Sequence, residues 1–211
     1  MTPPFERPIT YLITPGDIVA GNYTEKSREL IRQVRSAVDE EISLFQIREK
    51  RLDTKQLFAL VEEAAAITRG TSTQLVVNDR ADVAVAAGAD GVHLTTHSLP
   101  AFEVRKAFGP DLLIAVSTHT LNEAETAARS GADLIVFGPV FETPGKGEPV
   151  GLEKLAEVSR SVRIPVVGLG GIDINNFRSV LNAGAAGFAG IRCFKDPPGL
   201  TAAVGKGASK P

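Results

Sequence analysis

The 211-residue sequence contains a single cysteine, Cys193, and no marked excess of charge of either sign. One cysteine excludes an internal disulfide framework and fits a reducing compartment. The 23 basic and 25 acidic residues give a formal net charge of −2. Because nucleic acids and anionic membrane surfaces attract basic proteins, this balance argues against both kinds of partner.

The sequence also lacks long hydrophobic runs. No apolar stretch reaches the roughly 18–20 residues that a membrane helix needs. No N-terminal segment combines a charged start, an apolar run and a small-residue cleavage site, so the sequence predicts no signal peptide. We therefore expect a cytoplasmic protein without a membrane segment. Its 43% hydrophobic content is enough for a sizeable core.

Short apolar runs recur along the whole chain. Most are continuously apolar rather than alternating, which is typical of parallel strands covered on both faces. They predict strands at Ile9–Thr14, Ile42–Arg48, Gln74–Asp79, Gly91–Leu94, Leu112–Ser117, Leu134–Val140, Pro165–Gly171 and Gly187–Arg192. Helical patterns lie between them, at Tyr23–Glu40, Thr54–Arg69, Asp82–Ala87, Pro100–Phe108, Leu121–Ser130, Leu152–Ser161 and Asn175–Ala183.

This alternation of strands and helices predicts an α/β fold, a compact (β/α)₈ TIM barrel. We expect one domain over residues 1–211, with the barrel at about 9–195 and a C-terminal tail at 196–211. The last helix is expected to be short or frayed, because the tail is rich in Gly, Lys, Ser and Pro. The alternative, an open doubly wound sheet, usually has a Gly-rich first turn. The first turn here, Thr14-Pro15-Gly16-Asp17, is not Gly-rich.

In a TIM barrel the active site is built from residues that follow the strands. The second strand ends in Gln46-Ile47-Arg48-Glu49-Lys50. Alternation predicts that Gln46, Arg48 and Lys50 share one face, where an amide and two cations suit a diphosphate or carboxylate. The alternative is a solvated strand end with a surface pair between Arg48 and Glu49.

The third and fourth strands end differently. The third ends in Asn78-Asp79, and the carboxylate of Asp79 is a ligand that Mg²⁺ accepts beside a phosphate. Alternatively, Asp79 caps the helix that starts near Arg80. The fourth strand is followed by Thr95-Thr96-His97-Ser98, which are neutral or weakly basic. His93, inside this strand, is expected to be a hydrogen-bonded core residue, and His97 to be exposed.

Two further loops carry candidate residues. After the fifth strand, Ser117 can donate to a phosphate oxygen, and His119 is either a general acid or base or a structural residue. After the sixth strand, Thr143 and Lys146 stand in a Gly/Pro-rich stretch. This stretch is typical of a loop that closes over a ligand, and its alternative is a plain surface loop.

The last two strands predict a phosphate site. Backbone amides after strands seven and eight commonly bind phosphate in such barrels, and a double glycine lets the backbone approach an anion closely. Gly170 and Gly171 follow strand seven, and Arg192 adds a cation after strand eight. The rim thus has a second anion site besides the first, which comprises Gln46, Arg48, Lys50, Asn78, Asp79 and Lys146. An enzyme that joins two phosphorylated substrates would need such a pair.

Five segments, in this order and spacing, resemble the thiamine-phosphate synthase and thiazole tautomerase (TenI) superfamily: FQIREK, VVNDRADVAVAAGADGVHL, VSTHT, FGPVFETPGK and GLGGI. The resemblance runs from about Tyr11 to Phe194. It implies a transferase of thiamine biosynthesis. That enzyme joins 4-amino-2-methyl-5-(diphosphooxymethyl)pyrimidine to thiazole phosphate and forms thiamine phosphate and diphosphate with the help of Mg²⁺.

The resemblance also implies site residues. Asp79 would bind Mg²⁺, while Thr143 and Gly171 would face the thiazole phosphate. Lys146 and Ser117 are the residues expected to be catalytic in a synthase, and His119 in a tautomerase. The residues that would hold the pyrimidine diphosphate are Gln46, Arg48, Lys50, Asn78, Ser117 and Lys146. Barrels of this kind often pair, so a homodimer is the assembly to consider.

Three positions depart from the synthase pattern. The usual second Mg²⁺ ligand, an Asp after the fourth strand, is Ser98; the usual loop Thr is Gly145; and the usual Ser after the eighth strand is Arg192. The tautomerase branch shares the loss of that Asp. It often also loses the Asn-Asp pair and the loop Lys, which this chain keeps. We therefore expect a synthase, with a tautomerase or a non-catalytic thiazole- or thiamine-phosphate-binding or regulatory relative as the alternatives.

Overall fold

The computed structural model describes residues 8–194 together with residues 199 and 204. Its strands form a closed parallel barrel in chain order, and the last strand pairs with the first. The predicted (β/α)₈ barrel is confirmed. The strands are β1 (Ile9–Ile13), β2 (Leu44–Ile47), β3 (Gln74–Asn78), β4 (Gly91–Leu94), β5 (Leu113–Thr118), β6 (Leu134–Phe137), β7 (Val166–Leu169) and β8 (Gly187–Gly190).

Helices alternate with the strands as predicted. They are α1 (Tyr23–Asp39), α2 (Thr54–Thr68), α3 (Ala81–Ala87), α4 (Ala101–Phe108), α5 (Leu121–Arg129), α6 (Gly151–Ser161) and α7 (Phe177–Asn182). Asp53 caps α2 as expected, with its side chain accepting from the Gln56 amide at 2.8 Å. Short 3₁₀ helices lie at Ala20–Asn22 and Arg192–Phe194.

Several strands end earlier than predicted. β6 ends at Phe137 rather than Val140, and β8 ends at Gly190 rather than Arg192. In β6 the reason is Pro139, which has no N–H to donate to a strand ladder. The apolar run continues beyond the strand because Val140 is buried against the surrounding core. The predicted sixth strand therefore included a loop residue that is buried without belonging to the strand.

The hydrophobic core has two layers. One fills the barrel interior, where β1 alone supplies Ile9, Tyr11 and Ile13. The other lies between the strands and the helices, and α1 contributes Leu30 and Val34 to it. Because side chains alternate along a strand, each strand supports both layers. This two-sided burial explains why the strands are continuously apolar in sequence.

Two expectations concern the C-terminal tail and membrane-spanning helices. Of the predicted tail at 196–211, only residues 199 and 204 are described, and the rest lies outside the described residues. Val204 is helical and buried against the outer core layer. Within the described part of the chain, no helix combines the length and the apolar character needed to cross a membrane.

Candidate active site

Three polar side chains extend the interior rows of the barrel toward the carboxyl ends of the strands. Gln46, Asn78 and Ser117 each follow an interior residue of the same strand by two positions, as strand alternation requires. The parallel strands bring these three positions to one rim. The structure therefore places them at the top of the barrel interior, where the sequence predicted the site.

Gln46 and Asn78 are joined directly. The Gln46 Nε2 group donates to Asn78 Oδ1 at 3.1 Å. Gln46 is only 1% exposed, and its Oε1 atom has no hydrogen-bond partner among the described residues. A buried acceptor without a partner costs about 1–3 kcal/mol, so this oxygen is suited to a ligand donor. With its oxygen occupied, Asn78 presents its amide N–H groups to a ligand acceptor.

Glu49 does not form the surface pair with Arg48 that the alternative reading of this strand end proposed. It is 3% exposed and accepts hydrogen bonds from Thr14 Oγ1 at 2.6 Å, the Ile18 amide at 2.9 Å and the Gly16 amide at 3.2 Å. The strand ends at Ile47, so alternation no longer governs the residues after it. Glu49 instead fastens the loop after β1 to the end of β2.

The two cations predicted to share a face with Gln46 are Arg48 and Lys50, and both follow the end of β2 at Ile47. Arg48 is half-buried and Lys50 is exposed. The Arg48 guanidinium lies beside the loop after β1, where a Cβ on Gly16 would stand 3.1 Å from Nη1. The Arg48 amide donates to Thr14 Oγ1 at 2.8 Å, so the network around Glu49 also fixes the Arg48 backbone.

Asp79 does not cap α3. Arg80 occupies the N-cap position with no side-chain capping bond, and it makes two hydrogen bonds to Asp82, at 2.8 and 2.7 Å. Asp79 is exposed and has a left-handed backbone, with φ of +61°. Such a conformation costs a residue other than glycine about 1–3 kcal/mol and often marks a functional position. The Asp79 carboxylate has no bonded partner among the described residues and remains available to a ligand.

Ser98 is occupied within its own turn. Its Oγ accepts from the Thr95 amide at 2.7 Å and lies 3.1 Å from Thr95 Oγ1. Among the described residues there is no group of three or more His, Cys, Asp or Glu side chains that could hold a metal. Magnesium usually keeps several waters and binds through one or two carboxylates plus substrate phosphates. The residues therefore fit a Mg²⁺ that is shared between Asp79 and a diphosphate, and they do not form a protein cage.

His93 links the barrel interior to the rim. Its Nδ1 lies 2.8 Å from the Tyr11 hydroxyl and its Nε2 lies 2.7 Å from Ser117 Oγ. Burial lowers the pKa of His93 to about 3, and the charges of Arg48 and Lys50 contribute to the same shift. The imidazole is therefore neutral at pH 7. His93 is the hydrogen-bonded core residue that was expected, and His97 is exposed as expected.

His119 bonds to the end of the sixth strand. It is exposed, and its Nδ1 donates to the carbonyl oxygen of Gly138 at the end of β6. That bond leaves Nε2 as the acceptor nitrogen of the neutral ring. Within the described residues, no hydrogen bond joins His119 to Ser117, Gln46 or Asn78. The structure therefore does not unite it with the first anion site.

The loop after β6 packs directly on the double glycine after β7. A Cβ on Gly170 would stand 2.6 Å from Pro139 Cβ and 3.1 Å from Thr143 Oγ1, and one on Gly171 would stand 2.6 Å from the Glu142 carbonyl oxygen. Both glycines have positive φ, +101° and +65°. The structure thus brings Thr143, Gly170 and Gly171 together, as the predicted second anion site requires.

The remaining cations of the predicted sites are exposed. Arg192 lies in the 3₁₀ helix after β8, the strand next to β7. Lys146 lies on the loop after β6, where its amide donates to the Thr143 carbonyl at 3.1 Å. In the described part of the chain, the Lys146 side chain makes no hydrogen bond or ion pair. The structure therefore does not place it against the first anion site.

A cleft of about 230 Å³ opens between the ends of β2 and β3. Of the predicted site residues, Lys50, Asn78 and Asp79 line it, and Ile47 and Leu57 provide an apolar wall. Its volume is below the roughly 300–1,000 Å³ of common ligand pockets. The cleft therefore has room for part of a ligand, and of the two carboxylates that line it, Glu49 and Asp79, that of Asp79 has no hydrogen-bond partner among the described residues.

Comparisons with known proteins agree with this geometry. Residues 10–194 match the family described as thiamine monophosphate synthase. The chain is 40% identical over 204 residues to the thiamine-phosphate synthase of Roseiflexus castenholzii, covering 95% of this chain and 87% of that protein. It is 42% identical over 182 residues to a putative thiamine-phosphate synthase of Geobacter sulfurreducens, covering 85% and 83%.

A solved structure gives the same result. Thiamine phosphate pyrophosphorylase from Pyrococcus furiosus superposes with a TM-score of 0.82 at 31% identity, covering 96% of this chain and 98% of that one. The predicted resemblance is thus confirmed in both sequence and structure. This chain belongs to the thiamine monophosphate synthase family.

Proposed function

We propose that this protein is a transferase of thiamine biosynthesis. It joins 4-amino-2-methyl-5-(diphosphooxymethyl)pyrimidine to thiazole phosphate and releases thiamine phosphate and diphosphate. The observation that carries the proposal is the Gln46–Asn78 pair at the top of the barrel, with a buried acceptor that lacks a partner among the described residues. The likeness to proteins named thiamine-phosphate synthase supports it.

The Gln46–Asn78 pair suits the first substrate. An exocyclic amino group on a pyrimidine is a donor, and it would satisfy Gln46 Oε1. The Asn78 amide N–H groups and the Ser117 hydroxyl would donate to the diphosphate. Because Gln46 is almost fully buried, its bond to the ring would form away from water, where hydrogen bonds discriminate strongly.

The reaction breaks the bond between the pyrimidine methylene carbon and the diphosphate oxygen. Both electrons leave with the diphosphate, and the pyrimidine methyl cation is captured by the thiazole nitrogen. Arg48, Lys50 and Lys146 supply positive charge to stabilise the departing oxyanion. Mg²⁺ bound by Asp79 and the diphosphate would neutralise part of the same negative charge.

The second substrate would bind at the loop after β6. Thr143, Gly170 and Gly171 form a narrow contact there, with Arg192 on the adjacent strand end. Backbone amides and one cation suit a phosphate monoester. The two anion sites on one rim would hold the phosphates apart while the thiazole nitrogen faces the pyrimidine methylene carbon.

The tautomerase alternative has no comparable support. The relatives named above are called synthases, and His119 Nδ1 is engaged by the carbonyl oxygen of Gly138. A role for His119 as acid or base stays a prediction. The non-catalytic alternative is likewise not favoured by these relatives.

The test is direct. Purified protein is incubated with both phosphorylated substrates and Mg²⁺, and thiamine phosphate is measured, with each substrate omitted in turn. We expect product only with both substrates. Lys146→Ala should reduce kcat/KM by about 10²–10³-fold, as loss of a charge-stabilising group does. Lys154→Ala, an exposed lysine on α6, should not. Absence of product from the unmodified protein would overturn the proposal.

A further inference from the structure

A continuous hydrogen-bond chain runs across the barrel interior from β1 through β4 to β5. The Tyr11 hydroxyl lies 2.8 Å from His93 Nδ1, and His93 Nε2 lies 2.7 Å from Ser117 Oγ. Tyr11 is fully buried and His93 is 3% exposed. Ser117, at the outer end, is half-buried at the rim. The chain therefore connects a fixed interior group to a side chain expected to touch the diphosphate.

We propose that Tyr11 and His93 are positioning residues that fix the Ser117 hydroxyl as a hydrogen-bond donor to the departing diphosphate. This inference rests on the proposed function. It specifies that Ser117 is the donor in the contact between its hydroxyl and the diphosphate. Tyr11 lies below the rim among the apolar side chains of the interior layer. It acts through His93 rather than on a substrate.

The direction of donation along this hydrogen-bond chain follows from Tyr11, at its inner end. A phenol hydroxyl can donate one proton and accept others. Among the described residues, His93 is the one hydrogen-bond partner of the Tyr11 hydroxyl. If that hydroxyl accepted from His93, its own proton would be buried without an acceptor, at a cost of about 1–3 kcal/mol. Tyr11 therefore donates to Nδ1.

The rest of the chain follows from the imidazole. A neutral ring that accepts at Nδ1 carries its proton on Nε2. Nε2–H then donates to Ser117 Oγ, and the Ser117 proton is not used by His93.

The consequence concerns the diphosphate. A hydroxyl free to rotate must reorient before it can stabilise developing charge, and preoriented donors avoid this cost. Next to Arg48 and Lys50, a diphosphate oxygen is the acceptor expected at this rim. The Tyr11–His93–Ser117 chain thus holds a neutral donor in place at the rim that also carries the cations Arg48 and Lys50.

A double-mutant cycle tests the coupling. Tyr11→Phe keeps the ring and removes the hydroxyl, and Ser117→Ala removes the donor. We expect Tyr11→Phe to lower kcat by about five- to tenfold, the range of one neutral hydrogen bond, with KM for the pyrimidine diphosphate little changed. In the Ser117→Ala background the same change should have no further effect on kcat. An equal loss in both backgrounds, or no loss in either, would overturn the proposal.

Two conservative substitutions at His93 distinguish a role in positioning Ser117 from a role in packing. His93→Gln can retain a donor near the place of Nε2, whereas the shorter His93→Asn cannot reach Ser117. We expect His93→Gln to keep more of kcat than His93→Asn at matched thermal stability. Equal activity of the two variants would contradict a donor role for His93.

A measurement independent of activity separates this proposal from the proposed function. The ¹⁵N chemical shifts of the imidazoles at pH 7 report the tautomer of each of the three histidines, and the His93→Gln protein assigns the signal of His93. We expect an Nε2–H tautomer in the unmodified protein. An Nδ1–H tautomer in the unmodified protein would overturn the proposed direction, even if thiamine phosphate is formed. Conversely, an Nε2–H tautomer without thiamine phosphate would sustain the direction of the chain and overturn the proposed function.

Discussion

The Nε2 atom of Gln46 donates to Oδ1 of Asn78 at 3.1 Å, which leaves Gln46 Oε1 as a buried acceptor without a partner among the described residues. The two side chains belong to neighbouring strands, in which Gln46 pairs with Val76 and Asn78 lies two residues further toward the rim. The bond fixes the orientation of both side chains. It engages the nitrogen of Gln46 and the oxygen of Asn78, and it presents the oxygen of Gln46 and the nitrogen of Asn78 to a ligand. This pair would bind two parts of one substrate, the pyrimidine ring through Gln46 and the diphosphate through Asn78.

Replacement of Gln46 by Leu tests this assignment. The change keeps a side chain of similar size but removes the acceptor, so KM for the pyrimidine diphosphate should rise about tenfold or more. KM for thiazole phosphate should stay nearly constant. Gln74→Leu is the matched control, because Gln74 Oε1 is also buried without a partner but lies at the opposite end of β3. Steady-state kinetics with each substrate varied in turn would contradict the assignment if both variants gave the same KM values.

Glu49→Gln should destabilise the barrel and weaken diphosphate binding. Glu49 Oε1 accepts from Thr14 and Gly16, and Oε2 accepts from Ile18, whereas the Gln side chain keeps only one acceptor oxygen. At least one buried bond is therefore lost, so the free energy of unfolding should fall by about 1–3 kcal/mol. Arg48 should lose position because its amide also bonds to Thr14 Oγ1. Denaturant unfolding and the KM for the pyrimidine diphosphate measure the two effects. Glu62→Gln, an exposed change on α2, should shift stability by less than about 0.5 kcal/mol.

Gly170→Ala should impair the second anion site. The added Cβ would stand 2.6 Å from Pro139 Cβ at a φ of +101°, so the loop after β6 must move away. We expect KM for thiazole phosphate to rise about tenfold, the effect of a clash costing 1–3 kcal/mol. Gly109→Ala is the control, because its φ of +89° is similar but its Cβ would meet nothing within 4 Å. If both variants left KM for thiazole phosphate unchanged, the phosphate would have to bind elsewhere.

Asp79→Asn should raise the Mg²⁺ concentration needed for half-maximal rate. The exposed carboxylate has no bonded partner among the described residues, and an amide oxygen carries no charge to hold the ion. We expect saturation at higher Mg²⁺ with little change in thermal stability. Asp111→Asn, an exposed carboxylate in the loop before β5, serves as the control. An unchanged Mg²⁺ dependence of Asp79→Asn would remove Asp79 as a ligand.

The barrel was predictable because its signals are local. Continuous apolar runs predicted the strands. Gly88, Gly131 and Gly184, which lie between a helix and the next strand, all have positive φ in the structure. The order of polar residues on the rim followed from the strand order. Element ends were less accurate, since residues such as Val140 are buried without belonging to a strand ladder.

Contacts between distant segments could not be predicted in the same way. Tyr11 and His93 are 82 positions apart, and their hydrogen bond depends on how the closed barrel brings β1 and β4 face to face. The alternative interpretation of the second strand end placed Glu49 in a surface pair with Arg48, but the strand ends at Ile47 and Glu49 is buried. A polar residue inside an apolar run, such as His93 or Tyr11, was the available signal.

The most direct test of the central claim is the stoichiometry of the reaction. With both substrates and Mg²⁺, the purified protein should release one diphosphate for each thiamine phosphate formed, and neither should accumulate when thiazole phosphate is omitted. This result would establish a transfer in which capture by the thiazole nitrogen accounts for every diphosphate released. Diphosphate release without thiamine phosphate, or no release with both substrates present, would contradict the account.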